Sequence, residues 1–129
     1  MPSKPKFSEA DVTAQVRSYL EAMGWRAIRM QRTVMKGQFQ TGEPGMADCL
    51  FLRYPKRGGT GGICAHLWIE FKAPGKLANC ICATKKPRQR CTACDQFAWQ
   101  TEERRRGAVV WQVDDYEQFC ARYRLEFGQ

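Results

Sequence analysis

The stretch Leu67-Trp68-Ile69-Glu70-Phe71-Lys72 decides how the rest of this chain is read. It is an apolar run broken by an acid and a lysine two residues apart. In an extended strand successive side chains alternate between faces, so Glu70 and Lys72 project together while Ile69 and Phe71 point the other way, into a core. An acid inside an apolar strand is costly to bury unless something compensates its charge. A metal ion beside an ammonium is one answer. An ordinary surface ion pair on an amphipathic edge strand is another, and for an isolated triplet it is the simpler one.

The surroundings bear on that choice. Upstream, Met46–Tyr54 contains the run Cys49-Leu50-Phe51-Leu52, which predicts a buried strand with Asp48 at its start. Between the two runs lies Pro55–Gly62 (PKRGGTGG), a glycine-rich connection that fits a hairpin. Pairing the strands back to back brings the acid at the start of one near the acid at the end of the other, so Asp48 and Glu70 meet. Ser8 is placed to cap a first helix, with Glu9 and Asp11 in the turn where the helix dipole favours acids. Val12, Val16, Tyr19, Leu20 and Met23 follow at helical spacing and Gly24 stops it. Trp25–Met30 alternates like a strand, and Gln31–Gly45 is a polar connection broken by glycines and Pro44. After Lys72 comes a turn, then a cysteine-rich segment without period. A second helix follows from Asp95 through Gln96 to Arg106, then a strand at Ala108–Val113, then a last helix capped by Asp114.

The expected order is helix, three strands, helix, strand, helix, in one domain spanning 1–129. With 129 residues, 43% of them hydrophobic, the chain can bury a modest core, and the composition is not that of a disordered protein. The net charge of +8 points to a polyanionic partner, nucleic acid first and an anionic membrane surface second. No long basic amphipathic helix and no membrane-spanning run supports the second. Without the hydrophobic segment of a signal peptide at the N-terminus, the expectation is an intracellular protein.

Seven cysteines is an odd number for a disulfide framework. Cys49, Cys64 and Cys120 sit among apolar neighbours and are expected to pack as small hydrophobes. The other four form a Cys80-x-Cys82 and a Cys91-x-x-Cys94 half-site within residues 78–95. That spacing suits a structural Zn²⁺ held by four thiolates, which would order a loop too polar to bury a core of its own. Its Lys85, Lys86, Arg88 and Arg90, with Lys76 before them, would form a positive finger suited to a phosphate backbone. The alternative is a redox-active or flexible thiol loop. Arg104–Arg106 is read either as a solvated run complementing a helix C-terminus or as a second DNA contact, His66 as structural before catalytic, and Trp68, Trp99 and Trp111 as core before base-stacking.

Taken in order, Glu9 on a first helix, Gly45-Met46-Ala47-Asp48, Ile69-Glu70-Phe71-Lys72 and Gln96 opening a helix resemble the VRR-NUC family of the PD-(D/E)xK, restriction-endonuclease-like nucleases. The resemblance runs from about Glu9 to Phe119. It includes the turn Ala73–Leu77 and the strand after Gly107. It departs at Ala47, where the family usually has proline, and in the long cysteine segment between Lys72 and Gln96. The resemblance implies an α/β fold with a restriction-endonuclease-like core, a mixed central sheet flanked by helices, here carrying a small zinc-binding insert. It also implies a Mg²⁺- or Mn²⁺-dependent DNA endonuclease, structure-selective at junctions, flaps or nicks in replication, repair or recombination. Asp48, Glu70 and the Phe71 backbone carbonyl would hold the catalytic metal, Lys72 would orient or activate the attacking water, and Gln96 and Glu9 would complete the site. A nuclease this small, without a separate DNA-reading module, is open to forming a homodimer to span two strands. The competing expectation is a zinc-stabilised nucleic-acid-binding module without catalysis.

Overall fold

In the computed structural model, which describes residues 7–30, 45–55, 63–75 and 92–128, the chain is mixed α/β. Its elements are α1 (Glu9–Ala22), β1 (Arg26–Arg29), β2 (Cys49–Arg53), β3 (Ala65–Phe71), α2 (Thr92–Arg105), β4 (Val110–Val113) and α3 (Tyr116–Phe127). The order matches the sequence expectation element for element. Two helix starts differ. α2 begins three residues before Asp95, so Cys94 lies in its first turn and not in an irregular segment. α3 is capped by Asp115, whose Oδ1 accepts the Gln118 N–H at 2.8 Å, whereas Asp114 accepts the Gly75 N–H at 3.1 Å. Adjacent aspartates offer the same cap chemistry, and the one with extended backbone immediately before the helix takes the role.

The four strands form one sheet in the order β1-β2-β3-β4. β1 and β2 pair antiparallel, as do β2 and β3, with Cys49 opposite Ile69 and Phe51 opposite Leu67. β4 joins β3 in parallel, with Glu70 opposite Gln112. A parallel neighbour requires a crossover connection, and α2 lies on it.

Alternation sorts the sheet's side chains between two layers. Cys49, Phe51, Leu67, Ile69, Phe71, Trp111 and Val113 pack with Val12, Val16 and Leu20 of α1 and Phe119, Cys120 and Tyr123 of α3. The opposite face carries Trp68 and Val110 against Trp99 of α2, the two indoles meeting edge to face at 4.9 Å. Thus α1 and α3 cover one face and α2 the other. α1 starts with the reciprocal cap expected of Ser8: the Asp11 N–H donates to Ser8 Oγ and the Ser8 N–H to Asp11 Oδ2. That bond holds the Asp11 carboxyl below its usual range. On α3, Tyr123 is held by the Trp25 indole N–H and by Arg53, which locks β1 and β2 to the last helix.

Of the three cysteines expected to be buried, Cys49 and Cys120 are, and Cys64 is exposed. Cys64 precedes the first residue of β3, where the pleat no longer turns it inward. No helix among the described residues is long and apolar enough to cross a membrane.

Candidate active site

Of the polar residues singled out in the sequence, Asp48, Glu70, Lys72 and Gln96 lie at the C-terminal end of β3. Glu70 lies on the α2 face of the sheet and is 2% exposed. Its Oε1 accepts a hydrogen bond from Gln96 Nε2 at 2.8 Å and faces Lys72 Nζ at 3.3 Å. Gln96 is itself buried on α2, so the helix places an amide against the acid, and the strand places the ammonium two residues on. Lys72 keeps about a fifth of its side chain in solvent. Its backbone N–H bonds to the Val113 carbonyl at 2.9 Å, which fixes the residue although β3 has formally ended.

Asp48 occupies the position just before β2. Its Oδ2 accepts the Phe71 N–H at 2.9 Å, capping the donor left where the β2–β3 ladder stops. Its carbonyl accepts the N–H of Met30, the residue after β1, at 2.8 Å, so its backbone is fixed as well. A strand residue's N–H and C=O point to the same side, so the Phe71 carbonyl is directed toward Asp48 too. Asp48, Phe71 and Glu70 therefore offer hard oxygen donors at one sheet corner.

No group of three or more His, Cys, Asp or Glu residues able to hold a metal occurs among the described residues. Two carboxylates are nevertheless a donor set of the kind Mg²⁺ uses, because that ion keeps several waters and binds substrate phosphate for the remainder. Asp48 and Glu70 are hard oxygen ligands of the class that Mg²⁺ and Mn²⁺ take. They do not resemble a closed, sulfur-lined site.

Glu9 is the first residue of α1 and exposed. It shares with Asp48 a cleft of about 750 Å³ on the α1 side of the sheet, walled by Ala10, Thr13, Ala14 and Arg17 from the helix and by Arg29, Met30, Cys49 and Phe71 from the strands. The expected site is thus split about Asp48: Glu70, Lys72 and Gln96 on the α2 face, Glu9 across the cleft on the other. Cys49, buried in the cleft wall, has its thiol pushed up to about 11 by burial first and then by the Asp48 carboxylate, with Arg17 and Arg29 pulling the other way.

Two features were missed in the sequence. Gln100, one turn after Gln96, is 1% exposed, and its Oε1 accepts Gln112 Nε2 at 3.1 Å, tying α2 to β4 beside Glu70. The helical spacing from Gln96 was the available signal. Arg17 and Arg29 line the cleft, and Arg17 stands eight residues, or two turns, beyond Glu9 on the same helical stripe.

Of the other polar residues named in the sequence, His66 and Arg104–Arg106 have partners within the fold. His66 Nε2 accepts the Val109 N–H at 2.9 Å. Arg104 donates to the Val110 carbonyl at 2.7 Å, and Arg105 and Arg106 pair with Glu102 and Glu103. The basic run is thereby used within its own helix and strand. Cys80, Cys82, Cys91, Lys76, Lys85, Lys86, Arg88 and Arg90 lie outside the described residues; Cys94 is half-buried at the start of α2.

Comparison of the chain with models of protein families, with curated proteins and with solved structures finds no match.

Proposed function

We propose that this protein is a metal-dependent DNA endonuclease of the VRR-NUC type, with a restriction-endonuclease-like core. The reading is carried by one observation: Asp48, Glu70, Lys72 and Gln96, dispersed over almost fifty residues, meet at the end of β3 with the acid–lysine pair of one strand at 3.3 Å. A solvated surface ion pair would not need a buried glutamine supplied by a separate helix.

Asp48, Glu70 and the Phe71 carbonyl would hold the cation. Bound there, Mg²⁺ or Mn²⁺ supplies Lewis-acid polarisation of the phosphodiester and a water of lowered pKa. The chain's own residues do the rest. Lys72 carries a fixed positive charge at the face where the phosphorane-like transition state gains negative charge, and its Nζ can orient a water for attack. Gln96 donates to one oxygen of Glu70, which restricts the carboxylate's rotation. Asp48 is held by both Met30 and Phe71, so the carboxylates are set before substrate arrives. The +8 net charge favours a polyanionic substrate. Cys80, Cys82, Cys91 and Cys94 are proposed to hold a structural Zn²⁺ that orders the basic insert.

A second reading has an observation in its favour. Oε1 of Glu70 is already engaged by Gln96 and Lys72, as it would be in a purely structural buried network. That reading describes a zinc-stabilised nucleic-acid-binding module without catalysis. Incubation of labelled DNA structures with Mg²⁺ and Mn²⁺ separates the two, since the binding module yields no product with either metal.

A further inference from the structure

The Asp48 cleft contains more than acids. Along α1, Glu9, Thr13 and Arg17 recur every four residues and so form one stripe on the helix, with Ala10 and Ala14 beside them. All five line the cleft. Ala10 and Ala14 add only methyl groups to its lining. The Thr13 hydroxyl is spent on the Glu9 carbonyl at 2.8 Å, so it does not compete for a ligand. The opposite wall carries Arg29, whose register partner is Cys49, the residue after Asp48.

The two arginines are not neutralised by the acids that share the cleft. Among the described residues no ion pair joins Arg17 or Arg29 to Glu9 or Asp48. Among the described residues Arg17 pairs with Glu21, at 3.5 Å and in solvent, a contact of the helix-surface kind that contributes little. Arg17 from α1 and Arg29 from β1 thus line the same cleft as Glu9 and Asp48, which sets two guanidiniums beside the position where the scissile phosphate would sit. Guanidinium is the side chain best matched to phosphate, through paired N–H donors.

We propose that Arg17 and Arg29 form a phosphate-binding subsite for a bound DNA strand, gripping a backbone phosphate that flanks the one seated at Asp48. The proposal rests on the nuclease reading for which phosphate lies at Asp48, but the subsite itself is a matter of binding alone. It gives α1 and β1 a role in substrate register. The strand passes the small side chains of Ala10 and Ala14, and its flanking phosphate fixes how far it advances toward Asp48.

The test is binding of a fluorescent DNA duplex to the full chain with Ca²⁺ as the metal, across a series of salt concentrations. Each phosphate contact adds about 0.9 to the slope of log affinity against log salt for duplex DNA. Arg17→Gln/Arg29→Gln is expected to lower that slope by about 0.9 and to weaken binding at low salt, while Arg17→Lys/Arg29→Lys restores most of the slope. Circular dichroism and a thermal melt of each variant establish that it is folded. An unchanged slope in the folded glutamine variant would overturn the subsite, and so would equal loss in the lysine variant. A lowered slope in a protein that cleaves no DNA supports the subsite and sinks the nuclease reading; an unchanged slope in a protein that does cleave does the reverse.

Discussion

Gln96 on α2 donates its Nε2–H to Oε1 of Glu70 at 2.8 Å, the same oxygen that Lys72 faces at 3.3 Å. A hydrogen bond to a buried charged group contributes about 1.5–3 kcal/mol. Gln96→Leu should therefore lower stability by that order. Cleavage should fall about 10- to 100-fold, the usual loss when a group orienting a metal-binding carboxylate is removed. Gln96→Glu places a second carboxyl against Glu70, and two carboxyls at hydrogen-bond distance share a proton. Its pH–activity profile should shift to higher pH, because Glu70 must be ionised to act. Identical profiles for Gln96→Glu and the wild type would show that Glu70 does not titrate into the reaction.

Gly45 tests how α2 is seated. It has φ +80°, and a Cβ there would lie 2.0 Å from the Asp95 carbonyl oxygen and 2.6 Å from the Gln96 nitrogen, both backbone atoms that cannot turn aside. Gly45→Ala should cost at least about 2 kcal/mol in chemical denaturation, from left-handed strain plus the clash. It should also impair cleavage by pushing Gln96 off Glu70. Gly107→Ala is the control. It shares the positive φ but meets open space, so about 1 kcal/mol and intact activity are expected.

Thiol chemistry reports on the cleft. Burial and Asp48 push the Cys49 thiol up to about 11, so it stays protonated through pH 9, while Cys64 is exposed. Alkylation at pH 8 followed by peptide mapping should label Cys64 and spare Cys49. The sign for stability follows from the same shift. The folded state holds this proton more tightly than the unfolded chain, so the contribution is complete below pH 9 and is lost as pH rises toward 11. The wild type should lose more stability than Cys49→Ala between pH 8 and pH 10.5, as read by urea midpoints.

The four clustered cysteines make a compositional prediction. Elemental analysis of the purified protein should find one zinc per chain, and Cys80→Ser or Cys94→Ser should reduce it. A substoichiometric value in the wild type would defeat the four-thiolate proposal.

Much of this arrangement was legible in the sequence because the elements carry unmixed signals. Ser8 with Asp11 marks a helix start, and the parity of Ile69 and Phe71 against Glu70 and Lys72 assigns both sheet faces. The glycine-rich stretch between the two apolar runs fits the antiparallel pairing of β2 with β3, and Asp48, expected to meet Glu70, is bonded there to the Phe71 N–H. What was not legible depends on contacts between elements remote in sequence. Gln100 looks like any polar helix residue until Gln112 on β4 meets it. Arg17 looks like a solvated arginine until β1 supplies the opposite wall of a cleft. Asp114 and Asp115 are indistinguishable as caps until Gly75 claims the first of them.

Lys72→Ala tests the central claim most directly. The side chain is one-fifth exposed and its strand is held through the backbone, so the variant should fold and bind DNA. Wild type and variant are to be incubated with duplex, nicked, flapped and branched DNA in Mg²⁺ and in Mn²⁺. Metal-dependent cleavage of at least one of these by the wild type and a loss of more than about a hundredfold in the variant are expected. Cleavage undiminished in Lys72→Ala, or none by the wild type with either metal, would contradict the central claim.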